Sequence, residues 1–234
     1  MISAVDILKD LKSKQIANLK SFAILIDPDK TEVNTILKLL QTIPECTDYI
    51  FVGGSQVESG KTEEVVKEIK KLSPLPVVLF PGNINQITRY ADALLFLSLM
   101  SGSNPEYLIH QQVKSVKHLR HTNLEIIPTG YILIDGGKTC TTERITNTKA
   151  ISQADIDLIV DTCLVAQYTG KRLIYLEAGS GANFPVKPEI IRAVKTKVEL
   201  PIIVGGGIKT EKQREMAYKA GADVVVMGTV FEDI

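Results

Sequence analysis

Leu173-Ile174-Tyr175-Leu176-Glu177-Ala178-Gly179-Ser180-Gly181 reads as a short apolar strand that runs directly into a glycine turn. The same event recurs at Ile202-Ile203-Val204-Gly205-Gly206-Gly207, and again at Val224-Val225-Val226-Met227-Gly228-Thr229. Strands that are apolar throughout, rather than at every second residue, are covered on both faces, as parallel strands are. Before the second of these strands, Ile190, Ile191, Val194 and Val198 recur at helical spacing. The order is therefore strand, glycine turn, helix, strand, repeated.

Toward the N-terminus the pattern continues. Phe22–Ile26, Tyr49–Val52, Val77–Phe80, Ala93–Leu97 and Glu125–Ile127 are further apolar runs of strand length. Ile36, Leu37, Leu39 and Leu40 form an apolar helical stripe between two of them, and Val65, Val66, Ile69 and Leu72 form another. Eight successive β-then-α units favour a closed (β/α)8 TIM barrel of the α/β class over an open sheet. The chain has 234 residues, near the roughly 250 typical of such barrels, so residues 1–234 are expected to form a single domain. An amphipathic helix carrying Val5, Leu8 and Leu11 is expected before strand one. Two irregularities interrupt the scheme. Asp135–Gln153 is long, polar and rich in Gly and Thr, which suits a lid or binding loop. The sequence also stops at Ile234, just after strand eight, where a closing helix is expected; either that helix is truncated or another element covers that side.

Composition narrows the function. Lys plus Arg equals Asp plus Glu at 27 each, so no overall field draws the chain to nucleic acid or to an anionic membrane, and an anion must be held by a local site. Cys46, Cys140 and Cys163 are widely spaced and odd in number, which fits a reducing, cytoplasmic compartment and neither a disulfide framework nor a structural zinc site. Met1–Lys20 lacks the apolar core of a signal peptide, and no apolar run reaches the roughly 18 residues of a transmembrane segment.

In a barrel of this kind the turns after the strands form the catalytic face. Glycine there lets the backbone approach a phosphate closely and aim successive N–H groups at it. One glycine pair would simply allow a tight turn, but glycine-rich turns after strands six, seven and eight together mark the place where barrels build phosphate sites. Asp27, at the end of strand one in Asp27-Pro28-Asp29-Lys30, is either a magnesium ligand or a helix cap. Asp29 suits the cap better, ahead of a helix expected near Thr31, and Ser55 in Gly53-Gly54-Ser55 could add an oxygen beside Asp27. Glu177 is a lone carboxylate in a small, apolar turn; it could bind substrate hydroxyls, act as a general base, or merely anchor a loop. Tyr175 shares its face by period-two alternation. Gly54 to Gly60-Lys61-Thr62 resembles a P-loop but has the wrong glycine spacing. His110, His118 and His121 fall on or just after one helix, away from the strand ends, and are expected to be solvated.

Together, Leu25–Lys30, Phe51–Ser55, Phe80-Pro81-Gly82-Asn83, Asn104-Pro105, Ile127–Tyr131, Tyr175–Gly181 and Val204–Ile208 occur in an order that resembles the geranylgeranylglyceryl phosphate synthases and their bacterial heptaprenylglyceryl phosphate relatives. The resemblance covers essentially the whole chain and looks closest to the larger, mostly oligomeric branch, implying a homo-oligomer. It implies a magnesium-dependent prenyltransferase that joins an allylic diphosphate, geranylgeranyl diphosphate by the family name, to the 3-hydroxyl of sn-glycerol 1-phosphate. By the same resemblance Asp27 and Ser55 hold the metal, and Glu177 is catalytic. Tyr175, Leu176, Glu177, Ala178, Gly179, Ser180, Gly181, Gly206, Gly207, Gly228 and Thr229 hold the glycerol phosphate. The tail needs an apolar groove near strands three and four. The chain departs from the family in three places: Leu25 stands where some relatives have Lys, Ser101-Gly102-Ser103 replaces an Asn-Ser-Arg run, and Thr229 replaces a common Asn. Two other readings remain open from the residues alone: a phosphate-binding isomerase or lyase on the same barrel, and a scaffold derived from an enzyme.

Overall fold

The strand residues divide by parity into two separate apolar clusters, and that division is the barrel. In the computed structural model, which describes residues 6–231, Ala23, Tyr49, Phe51, Val78, Leu95, Ile127, Tyr175, Ile203 and Val226 point inward and pack on one another. Their neighbours Ile24, Ile50, Leu79, Leu94, Ile174, Val204 and Val225 point outward into the surrounding helices. A side chain that alternates at every residue can feed two cores only when both faces of the strand are covered.

The strands are β1 (Ser21–Ile26), β2 (Tyr49–Val52), β3 (Val77–Leu79), β4 (Ala93–Leu99), β5 (Glu125–Leu133), β6 (Leu173–Glu177), β7 (Ile202–Gly205) and β8 (Val224–Met227). All neighbours are parallel, and β8 returns to β1 to close the barrel. The eight expected runs are these strands, but β5 is longer than its sequence suggests. Pro128 and Gly130 look like breakers. Pro128 instead lies in register with Phe96, and its carbonyl accepts the Arg172 N–H. Gly130 is small because helix α6 (Ile156–Tyr168) presses against it: a Cβ there would stand 2.6 Å from that of Ala166.

Helix α1 (Ile7–Ile16) closes the bottom of the barrel, burying Ile7 and Leu11 against the inward cluster. The Glu125 carboxylate accepts the N–H groups of Ile7 and Leu8, satisfying two of the orphan donors of the first turn. Leu8 and Leu11 thus lie on the expected helix, while Val5 falls outside the described residues. Helices α2 (Ile36–Thr42), α3 (Lys61–Leu72), α4 (Gln111–Leu119), α7 (Pro188–Lys197) and α8 (Glu211–Ala220) form most of the outer layer. In α3, Glu63 and Glu64 sit in the first turn and Lys70 and Lys71 in the last, matching the helix dipole.

The alternation of strand and α-helix is interrupted inside the barrel. Between β3 and β4 the described residues hold no α-helix, only a 3-10 turn at Ile84–Gln86. Pro81-Gly82-Asn83 turns the chain, and the stretch up to Asp92 carries only scattered apolar residues, too few for a packed helix. The Asp135–Gln153 segment is built over its middle as helix α5 (Thr141–Thr146), fixed by a capping box between Cys140 and Glu143. After β8 the described chain makes one 3-10 turn, Thr229–Phe231; residues 232–234 are outside the described part.

Candidate active site

The C-terminal ends of the strands surround a cavity of about 430 Å³. Asp27, Ser55, Tyr175, Glu177, Ser180, Gly181, Gly206, Gly207, Gly228 and Thr229 all line it. Leu176, Ala178 and Gly179 do not, although they share the same turn. Leu176 and Ala178 belong to the outward cluster, as their parity requires. The Gly179 N–H donates to Glu177 Oε1 at 2.7 Å, so it holds the carboxylate rather than facing the cavity.

Glu177 ends β6 opposite Gly205 of β7 and is only 6% exposed. Burial raises its pKa to about 7, opposed by the Gly179 N–H and by the nearby Tyr175 hydroxyl. A carboxylate poised there can exchange a proton near neutrality. The Tyr175 ring stacks on Phe80 with centroids 4.8 Å apart, and Tyr131 leans against both. Tyr175 Oη is buried without a hydrogen-bond partner of good geometry among the described residues. It and Glu177 Oε2 both border the space above Gly205, where a Cβ would stand 2.5 Å from the hydroxyl. That leaves a buried donor and a near-neutral carboxylate facing one small volume.

Across the mouth, the Asp27 carboxylate lies over Gly54, where a Cβ would stand 2.7 Å from Oδ1. Its Oδ1 accepts the Asp29 N–H, and Lys30 Nζ is 3.8 Å from Oδ2. Gln86, from the 3-10 turn after β3, clamps Gly54 through both its amide atoms. Ser55 Oγ is 3.4 Å from Thr142 Oγ1 of α5. The polar segment after β5 therefore reaches over the mouth to β2, as its composition suggested. Asp29 is not a helix cap: the helix it was expected to start begins later, at Ile36, and Asp29 instead accepts the Glu58 N–H, tying two mouth loops together. Gln86 and Thr142 carry no sequence motif. Phe80 and Tyr131, though within runs that carry the family resemblance, have no site role readable from the sequence. A buried amide, a threonine or an inward aromatic has no characteristic spacing.

The cavity continues over Phe80 and out through the wall that lacks a helix. Ile84, Ile87, Leu94, Phe96 and Leu97 line this extension, with Gln112 and Ser115 of α4 on its far side. This is the apolar groove expected near strands three and four. Lys30 and Lys209 are the lining cations. Ser101 lies away from the cavity, its Oγ accepting the Leu133 N–H, so the departing Ser101-Gly102-Ser103 run supplies no cation. His110, His118 and His121 are exposed, as expected. Lys61, from the P-loop-like run, begins α3 and does not line the cavity.

Comparison with known proteins identifies the family and the fold. The profile of the PcrB family matches residues 14–234. A geranylgeranylglyceryl phosphate synthase of Zunongwangia profunda is 49% identical over 223 residues, covering 95% of each chain. That of Pyrococcus furiosus is 41% identical over 211 residues, covering 89% of this chain and 83% of its own. The crystal structure of (S)-3-O-geranylgeranylglyceryl phosphate synthase from Thermoplasma acidophilum, in complex with its substrate sn-glycerol-1-phosphate, superposes with a TM-score of 0.90 at 34% identity, covering 98% of this chain and 93% of that one. With its closed barrel, glycine-walled mouth and whole-length similarity to these synthases, this chain belongs to the PcrB family.

Proposed function

We propose that this chain is a prenyltransferase that forms an ether between an allylic diphosphate, geranylgeranyl diphosphate by its relatives, and the 3-hydroxyl of sn-glycerol 1-phosphate. The observation that carries this reading is the junction of two unlike spaces in one cavity. A glycine-walled polar cup holds the buried Glu177, and an apolar groove leaves it through the helix-free wall between β3 and β4. An isomerase or lyase of a small phosphorylated metabolite would use the cup and have no use for the groove.

Ser180, Gly181, Gly206, Gly207, Gly228 and Thr229 would seat the phosphate of the acceptor. Tyr175 Oη and Glu177 would take its hydroxyls. As the hydroxyl oxygen bonds to C1 of the prenyl chain, the C1–O bond to diphosphate breaks and its electron pair leaves with the diphosphate. The hydroxyl proton passes to Glu177. Alignment of the two reactants in this cup supplies much of the acceleration.

Asp27, Ser55 and Thr142 offer oxygen donors only, and among the described residues no three His, Cys, Asp or Glu converge on a metal-binding point. One carboxylate plus hydroxyls suits magnesium, which completes its shell with water and phosphate oxygens. When bound, magnesium would neutralise charge on the departing diphosphate. Lys30, beside Asp27, and Lys209 would add positive charge at the same edge.

The test is product formation from labelled sn-glycerol 1-phosphate with prenyl diphosphates of increasing length, with magnesium and with EDTA. Magnesium-dependent ether formation is the expected result. Folded protein that binds glycerol phosphate but transfers no prenyl group would return the site to another barrel chemistry.

A further inference from the structure

Helix α4 has two unlike faces. Gln112 and Ser115 turn inward to the cavity. Ile109, in the π turn that leads into α4, Val113 and Val116 turn outward, 53%, 64% and 40% exposed. Lys114, Lys117 and Arg120 stand among these apolar side chains, and with Val113, Val116 and Ile84 they line a shallow outer cleft. Lys114 is held by Glu106 at 2.5 Å. Lys117 and Arg120 have no carboxylate partner among the described residues. The chain as a whole is neutral, with 27 basic and 27 acidic residues, so this positive, apolar stripe is a local feature.

Its position gives it meaning. Ile84 lines both the inner cavity and the outer cleft, because only a 3-10 turn covers the wall between β3 and β4. The groove for an apolar chain and the exposed stripe thus meet at one residue. An exposed apolar face flanked by cations is the composition of helices that lie in the interface of anionic membranes. A two-fold contact between copies centred on the stripe would instead set its cations against themselves.

We propose that the face formed by α4 and the Ile84 turn docks on an anionic lipid bilayer, with the groove opening toward the hydrocarbon. This rests on prenyl transfer as the reaction: donor and product then both carry a long apolar chain, which would pass between bilayer and groove without crossing water. No helix of the described residues is long and apolar enough to cross a membrane; the attachment proposed is through this exposed face alone.

Vesicle flotation tests this without any substrate, using full-length protein with vesicles of phosphatidylcholine alone or mixed with phosphatidylglycerol. The expected result is binding to the anionic vesicles that weakens as salt rises. The double variant Lys117→Glu/Arg120→Glu should bind roughly tenfold less or weaker still, and Val113→Ser/Val116→Ser should also lose binding. All four positions are exposed, so circular dichroism and the thermal midpoint should not move. Transfer from a detergent-dispersed donor should stay within about twofold of wild type in both variants, since neither touches the reacting groups. Wild-type protein that ignores anionic vesicles, or charge-reversed protein that binds them equally, overturns the proposal. So does a change of oligomeric state in the variants by sedimentation velocity, which would make the stripe a contact between copies. Loss of transfer in the wild type, with vesicle binding intact, would count against the prenyltransferase reading instead.

Discussion

The Glu177 carboxylate fills the space that a side chain on Gly206 would need. A Cβ built on Gly206 collides with Glu177 Oε1 and lies 2.6 Å from the Gly179 nitrogen and 2.8 Å from that of Ala178. Gly206 also has φ +79°, a conformation that residues with a Cβ rarely adopt. The glycine after β7 and the carboxylate at the end of β6 are therefore one construction: the glycine's emptiness is where the acid sits.

Gly206→Ala should strain the backbone and displace Glu177 together. The expected outcome is a loss of kcat/KM of a hundredfold or more from misplacing the acid, and a loss of stability of roughly 1–3 kcal/mol from the backbone. Steady-state kinetics and chemical denaturation read the two effects separately. An alanine variant with normal rate would show that the carboxylate does not depend on this contact.

Glu177 sets a pH dependence with a definite sign. As a base it works when ionised, so kcat/KM should rise with pH through about 7 and then level. Its stability effect runs the other way. The folded-state pKa lies above that of an unfolded carboxylate, so the favourable contribution is full below the unfolded value and is lost as pH rises to about 7. Glu177→Gln should cut the rate by about 10²–10⁴. The same variant should gain up to about 3 kcal/mol of stability relative to wild type at alkaline pH, and little at pH 4. Denaturation curves at the two pH values, beside a pH–rate profile, check both halves.

Much of this was legible because the barrel writes itself twice in the sequence, as apolar runs and as glycine turns. The parity of Tyr175 and Glu177 and the glycines after β7 and β8 placed the cup. The same parity rule turns Leu176 and Ala178 toward the helices, whereas the family resemblance implies the whole turn at the glycerol phosphate. What stayed hidden depends on contacts between distant segments. Gln86 reaches Gly54 from another loop, Thr142 meets Ser55 across the mouth, and Phe80 stacks on Tyr175 from three strands away. No spacing within one segment encodes such pairs. The absence of an α-helix between β3 and β4 is hidden for a simpler reason: apolar runs of strand length on either side read as one more regular unit.

The oxygen donors at the β1–β2 edge lead to a test of magnesium dependence. Asp27→Asn keeps the shape of the side chain and removes its charge, so the magnesium concentration for half-maximal rate should rise tenfold or more while binding of sn-glycerol 1-phosphate is unchanged. Ser55→Ala should have a smaller effect in the same direction, because a hydroxyl contributes no net charge. Magnesium titrations of initial rate, with acceptor binding measured by calorimetry, separate loss of metal from loss of fold.

The groove can be closed without touching the cup. Ile87 lines the extension between β3 and α4 and is half-buried, so an indole ring there narrows the channel. Ile87→Trp should raise KM for a geranylgeranyl donor about tenfold, the order expected when about two methylenes lose their apolar contacts at roughly 0.8 kcal/mol each. A donor too short to reach Ile87 should keep its KM, and KM for sn-glycerol 1-phosphate should not change with either donor. Kinetics with a short and a long donor on the same variant give the answer. An equal rise for both would mean that the tail does not run through the helix-free wall, and the groove would then need another occupant.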